Sequence, residues 1–336
     1  MHLSTVQLSA ITLTMKVITK KPLEGKCGEI TDAHLGIKHA LWEFNPGKCM
    51  LPAFFENYAP QILGAPVRKD DVWLISYPRT GSTWCQEMIW LLNNNLDFQK
   101  AQSTVQQLRA PLIEMSVALF EYTDQFKHIF TNSVDYVNSL PSPRCIKSHL
   151  PLQLLPVELE TTKPKIIYCT RNPKDTCVSF YYHVKLLHGF NVTFETFCEL
   201  FLNGSVIYGD FFDHVSEFWK KRQEENVLFI QYEQMKKDSR AAIRKIAQFL
   251  EKDVSEDDVE SLNKFLQFSN MKENKACNCE VLLDKKGGKK YFEKAGYHFI
   301  RKGEVGDWKN HMTPEIEDQF DNYIKRRTLE TDCNFY

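Results

Sequence analysis

The sequence predicts an α/β fold, a single domain whose central parallel β-sheet is flanked by helices. Three observations carry this reading. Apolar runs of strand length recur at residues 71–77, 165–170 and 227–230. Each gives way to a stretch with helical period, and a polar or basic turn stands at each switch. Strands that alternate with helices in this way build parallel sheets. The length of 336 residues allows one large α/β domain or two small ones, and no internal repeat breaks the chain into units.

Taken in order, residues 1–30 show no clear period, and residues 1–40 read as an N-terminal extension or arm ahead of a domain spanning 41–336. Residues 40–66 mix Trp42, Phe44, Phe54, Phe55 and Tyr58 with Pro and Gly, which predicts a segment lying over the core or a pocket.

The strand of residues 71–77 ends at Pro78, and from Ser82 onward Trp84, Met88, Leu91 and Leu92 fall on one helical face until Asn93-Asn94-Asn95. A strand–turn–helix of this kind aims unpaired N–H groups and the positive end of the helix dipole at one point. Gly81 lets the backbone approach a ligand; Thr80, Ser82 and Thr83 add hydroxyls; Arg79 adds charge. The turn therefore reads as a phosphate cradle or as an ordinary N-capped turn. The signature G-x-x-x-x-G-K-[ST] is absent, which disfavours an ATP or GTP P-loop.

Modest helical stretches follow to residue 143, separated by prolines. Residues 145–149 read as a short strand that places Lys147 and His149 on one side, a basic and a titratable group together. A His there serves acid–base chemistry or simply completes a structural hydrogen bond. After the strand 165–170 comes Arg171-Asn172-Pro173-Lys174-Asp175, at the sheet edge where open α/β folds bind ligands. Arg171 either meets a ligand or pairs with Asp175.

An amphipathic helix is expected over 208–222, a strand over 227–230 and a helix over 239–250. Ser255 caps a further helix with acidic residues in its first turn. Residues 274–300, with their run of lysines around Gly287-Gly288, read as a mobile loop or lid. Arg301 and Lys302 then stand against Gly303 and Gly306, and Thr313-Pro314-Glu315 opens a C-terminal helix.

Composition bounds function. With 42 basic and 43 acidic residues, no global field favours nucleic acid or an anionic membrane. No run approaches the ~20 apolar residues of a membrane span. The ten cysteines have no framework spacing, residues 1–15 lack a basic leader, and the protein is expected to be cytoplasmic with reduced thiols.

Three basic clusters at strand ends or glycine turns are too many for one phosphate and imply a ligand with two separated anionic ends. At this point the sequence resembles the cytosolic sulfotransferases over residues 50–320, with their P-loop-like architecture. Residues 76–84 resemble the family's 5′-phosphosulfate loop. Lys147-Ser148-His149-Leu150-Pro151 resembles its Lys-x-His-Leu-Pro segment. Arg171 to Asp175 with Ser179 resembles the 3′-phosphate helix, and residues 301–309 resemble the Arg-Lys-Gly-x-x-Gly-x-Trp-Lys signature.

The resemblance implies the donor 3′-phosphoadenosine 5′-phosphosulfate (PAPS, with product PAP), no metal and a small hydroxyl or amine acceptor such as a phenol, sterol or retinoid. It assigns His149 as general base and Arg79 and Lys147 to the departing charge. It places Thr80, Gly81, Ser82, Thr83 and Trp84 at the 5′ end, and Arg171, Ser179, Arg301, Lys302 and Gly303 at the 3′-phosphate. Tyr232 and Phe268 join Trp84 around the adenine.

The acceptor pocket is expected near Phe54, Phe120, Tyr182 and residues 274–300. Arg79 stands where most relatives have Lys. It is similar to the insect branch that includes retinol dehydratase, so elimination after sulfation is a further expectation. A non-catalytic binder of nucleotide and apolar ligand is the reading of another class. The family's dimer segment appears here as Lys309, Thr313, Pro314 and Asp318, where Pro314 and Asp318 depart from the usual Val and Glu, so the expected homodimer has its usual contact altered.

Overall fold

The computed structural model describes residues 17–117, 126–283 and 286–334. Phe120, Lys285 and residues 1–16 lie outside the described residues. The central sheet is parallel throughout and has four strands: β4 (Val72–Ser76), β5 (Cys145–Ser148), β6 (Lys165–Thr170) and β7 (Val227–Gln231), in the order β5-β4-β6-β7. β4 is buried along its whole length, which is why it reads as an unbroken apolar run. Its alternate residues divide two cores. Trp73 and Ile75 join Ile146 and Tyr168 on one face, while Val72 and Leu74 join Ile167 and Cys169 on the other.

Register decides where function sits. Ile75 lies opposite Ser148, Ser76 opposite Cys169, and Thr170 opposite Gln231. The four strands thus end along one edge, and the residues that follow them emerge side by side: Tyr77–Ser82, His149, Arg171 and Tyr232. At the other end, Arg144 donates to Asp71 from Nε (2.7 Å) and Nη2 (2.5 Å), both residues fully buried, a forked pair that ties the starts of β5 and β4 together.

Helix Ser82–Asn93 covers one face of the sheet with Cys85, Met88 and Leu92, and helix Pro173–His188 covers the other with Cys177, Phe180 and Val184. The helix expected over 208–222 is shorter, Phe211–Lys220. Tyr208 and Gly209 adopt positive φ (72° and 83°), and Asp210 caps the helix by accepting from the Asp213 N–H. A second sheet, antiparallel, was not legible in the sequence: β1 (Thr19–Pro22), β2 (Trp42–Asn45) and β3 (Cys49–Leu51) pair in that order.

Residues 274–300, read from the sequence as a loop, include helix Gly288–Ala295, whose Phe292 packs with Leu186 and Leu187. Thr313 caps helix Pro314–Thr331 as expected. Among the described residues no helix is long and apolar enough to cross a membrane.

Candidate active site

The turn after β4 is built from residues that cannot face elsewhere. Tyr77 is fully buried and its hydroxyl donates to the Gly209 carbonyl (2.9 Å). Thr80 is also fully buried, and its hydroxyl points to the carbonyls of Tyr77 and Cys169, each at 2.9 Å. The expectation that Thr80 offers its hydroxyl to a ligand is therefore corrected: that side chain holds the turn to β6. Gly81 has φ 96°, and a Cβ there would stand 2.5 Å from the Tyr232 ring. Only glycine satisfies both conditions. Its carbonyl accepts the first N–H bonds of helix Ser82–Asn93, whose open N-terminus faces the sheet edge.

Around this turn lies a cleft of about 220 Å³. It is lined by Arg79, Gly81, Ser82, Thr83, Trp84, Arg171, Ser179, Tyr232, Phe268, Arg301, Lys302 and Gly303, among others. Every predicted nucleotide-site residue except Thr80 is brought together here, from positions more than 200 apart in sequence. Arg171 bridges two of the clusters, with Nη2 donating to the Glu304 carbonyl (2.6 Å) and its guanidinium 4.5 Å from the Tyr232 ring.

The Arg171–Asp175 pair also exists, at 3.8 Å, but Asp175 spends its oxygens mainly on the N–H groups of Gly306 (2.7 Å) and Trp308 (3.0 Å). It thereby docks the glycine turn beside the helix carrying Ser179. Asp307 accepts from Arg301 (2.5 Å) and Lys302 (2.6 Å). Burial works to raise its pKa, yet hydrogen bonds from Lys302 and Arg301 hold it well below the usual carboxylate range. At Gly303 a Cβ would stand 2.4 Å from the Phe268 ring, so ring and turn are in van der Waals contact only because the residue is glycine.

A second cavity, of about 110 Å³, shares Arg79, Ser82, Thr83 and Phe299 with the first. Lys147 and His149 line it together with apolar residues that include Met115, Val117, Phe180, Leu187 and Ile207. Cys279, Leu282 and Phe299 come from the 274–300 region as expected. The segment around Tyr182 contributes Phe180 and His183 as expected, although Tyr182 itself faces the guanidinium of Arg301 at 4.6 Å. The segment near Phe54 does not line this cavity, which corrects that part of the expectation, and Phe54 is partly exposed on a 3-10 turn.

The His149 ring is fixed by its surroundings. A carbonyl only accepts, so the 2.7 Å contact to the Ser76 carbonyl requires a proton on Nδ1 and leaves the lone pair on Nε2. Burial, and after it the charge of Lys147, holds its pKa well below the ordinary histidine value. The ring is neutral at neutral pH. Burial also pulls Lys147 down to about 8, with the Arg79 charge adding to the effect. Arg79 itself is brought down to about 10, chiefly by burial, and stays cationic.

Arg79 sits at φ 69° and is held on three sides: Nε donates to Ser179 Oγ (3.2 Å), Nη2 to the Phe299 carbonyl (2.9 Å), and Nη1 approaches His183 Nδ1 (3.5 Å).

Two contributors, His183 and Glu114, escaped the sequence reading, and a third, Phe299, was expected only as part of its segment. His183 lies four residues after Ser179 on one helical face, a spacing that was available as a signal. Glu114 left none. It is buried, accepts from the His149 N–H (2.5 Å) and from Ser148 Oγ (2.8 Å), and has its pKa pushed up to about 7 by burial. Phe299, whose ring lies 4.7 Å from the Arg79 guanidinium, sits at the boundary of both cavities. Among the described residues no group of three His, Cys, Asp or Glu side chains is arranged to hold a metal ion.

A family model described as a sulfotransferase domain matches residues 69–332. The chain belongs to this family and is a sulfotransferase. Luciferin sulfotransferase of Photinus pyralis is 37% identical over 278 residues, 80% of this chain and 75% of that protein. Sulfotransferase 1 family member D1 of Mus musculus is 38% identical over 284 residues, 82% and 90% of the two chains. Among solved structures, retinol dehydratase in a complex with retinol and PAP matches at a TM-score of 0.83 and 29% identity, covering 95% of this chain and 99% of that one. A mouse sulfotransferase complexed with PAP matches at 0.64 and 30%, covering 84% and 94%. The matched domain of the sulfotransferase takes in every candidate site residue from Arg79 to Gly303 and begins after β1–β3.

Proposed function

We propose that this sulfotransferase moves the sulfuryl group of PAPS to a hydroxyl or amine of a small apolar acceptor, with His149 as general base. The observation that carries the reading is the pair of adjoining cavities. One is polar and basic, the other is apolar with His149 and Lys147, and Arg79, Ser82 and Thr83 form their common wall. The residues fit a donor with two anionic ends. The Nε of Arg301 and the indole N–H of Trp84 are buried in that cleft without a hydrogen-bond partner among the described residues, a costly state that an anionic, hydrogen-bonding ligand relieves.

When bound, the donor supplies the transferable sulfuryl group and a phosphate leaving group. In this reading the turn of residues 79–84 holds the 5′ end. Arg171, Ser179, Arg301, Lys302 and Gly303 hold the 3′-phosphate, and Trp84, Tyr232 and Phe268 enclose the adenine. Nε2 of His149 takes the acceptor proton. Lys147 and Arg79 face the place where negative charge develops and stabilise it without reorganising. The cytosol suits the ten free thiols.

The direct test is transfer of labelled sulfate from PAPS to phenol, sterol and retinoid acceptors; donor binding without turnover would favour the non-catalytic binder. Likeness to retinol dehydratase, together with Arg79 in place of Lys, favours one extension, elimination after sulfation. Its sign would be a product lighter than the acceptor by one water.

Two results are expected at this site. Charge-assisted hydrogen bonds contribute about 1.5–3 kcal/mol each. Calorimetry should therefore show adenosine 5′-phosphosulfate binding at least about tenfold more weakly than PAPS, and equal affinities would remove Arg171 and Arg301 from the role given them.

The second result is a bell-shaped pH dependence of kcat/KM, which reports groups of the free enzyme. His149 must be neutral, and its pKa is depressed, so activity is lost only as pH falls below 6.5. Lys147 must be charged, so activity is lost again as pH rises through about 8. A profile flat from pH 7 to 10 would detach Lys147 from the reaction.

A further inference from the structure

We propose that the acceptor is an elongated apolar alcohol and that the N-terminal segment of this chain sets its length. The inference rests on the transfer reading and concerns the far end of the acceptor cavity. Arg79, Lys147, His149 and Glu114 all line that cavity, with the His149 N–H on Glu114 and the charges of Arg79 and Glu114 acting on Lys147. His188 and Ile207 line the same cavity, and these two residues also line a third cavity of about 40 Å³. The two spaces are neighbours across a shared pair of side chains.

Beyond that pair the third cavity offers a ligand no side-chain donor that is not already engaged. Its walls include Leu35, Leu41, Phe190, Phe197 and Leu200. Its two hydroxyls are already committed, Thr31 Oγ1 to the Cys27 carbonyl (2.8 Å) and Ser205 Oγ to the Asn203 carbonyl (3.4 Å). A space of this chemistry takes a hydrocarbon tail and rejects a polar one, because a polar group there would lose its water without replacement. Acceptor polarity and acceptor length are thus specified by different walls: hydroxyl at His149, tail past His188 and Ile207.

Part of the third cavity's wall precedes the matched sulfotransferase domain. Thr31 and Leu35 belong to helix Gly25–Leu35, which Gly36 terminates at φ 67°, and Leu41 leads into β2. The catalytic domain therefore supplies the chemistry and one side of the third cavity, and the segment before residue 69 closes it with Thr31, Leu35 and Leu41.

The test uses the full chain, labelled PAPS, and butan-1-ol, octan-1-ol, dodecan-1-ol and 4-nitrophenol as acceptors. Each methylene moved from water into an apolar wall is worth about a fourfold gain. The wild type should show kcat/KM climbing by about two- to fourfold per methylene from butanol into the longer alcohols. Leu35→Trp fills the third cavity and should lower kcat/KM for dodecanol by about tenfold or more, leaving 4-nitrophenol and butanol unchanged. Leu35→Phe, a smaller enlargement, should fall between and covers a failure of the tryptophan variant to fold. A flat chain-length series in the wild type, or equal losses for short and long acceptors in either variant, would overturn the proposal. Absence of transfer to every acceptor, 4-nitrophenol included, would sink the transfer reading and this proposal with it.

Discussion

Replacing His149 by alanine should lower kcat by about 10²–10⁴ while donor binding stays close to that of the wild type, the signature of a lost general base. The geometry prepares one nitrogen for this task. The Ser76 carbonyl fixes the proton on Nδ1, and burial keeps the ring neutral. The backbone of the same residue is held from two directions: Glu114 accepts its N–H, and His214 Nε2 donates to its carbonyl (3.0 Å). The Tyr168 hydroxyl meets His214 Nδ1 at 2.8 Å, so this support reaches into the core.

Because the backbone contacts survive in the alanine variant, the substitution removes the ring and little else. The competing role is structural, through the edge contact of the ring with Tyr208 at 5.6 Å. That role predicts a lower unfolding temperature with unchanged turnover of the folded fraction. Single-turnover rates with saturating donor, alongside calorimetry of PAP binding, separate the two. A variant that binds normally and turns over at the wild-type rate would assign His149 to structure.

Arg79→Ala should cost about 10²–10³ in kcat, the size of a lost transition-state donor. Donor affinity should fall less, since the N-terminus of helix Ser82–Asn93 remains in place. Arg79 occupies the left-handed region, and that backbone cost is shared by alanine and lysine, so rates across the series report on the side chain. Arg79→Lys returns the residue usual in the family and keeps the charge. It also gives up the fork that engages Ser179, His183 and the Phe299 carbonyl together. Its rate should lie between the other two. If Arg79 served only to tie the turn to Phe299, alanine would lower thermal stability and leave single-turnover rates untouched, an outcome that ends its catalytic role.

The sequence alone determined the parallel sheet and most of the site, because both are written in short windows. Val72–Ser76 and Lys165–Thr170 are apolar runs buried almost throughout, Val227–Gln231 is a half-buried one, and a helical period follows each turn. Basic residues at the ends of such strands must emerge on one edge once the strands run parallel, so Arg79, His149 and Arg171 were identifiable before their neighbours were known.

Tertiary structure decided what depends on partners distant along the chain. Thr80 was legible as a hydroxyl, but the Cys169 carbonyl that claims it belongs to another strand. Strands of three and four residues such as β1 and β3 carry too few side chains to show a period, and they exist through pairing with β2. Glu114 is one carboxylate among many in the sequence, and only folding places it 2.5 Å from the N–H of His149. The wall at Leu35 and Leu41 came from a segment with no period in its first thirty residues. Its helix is held by packing against the core, so its contribution to the third cavity was fixed by contacts that no local pattern records.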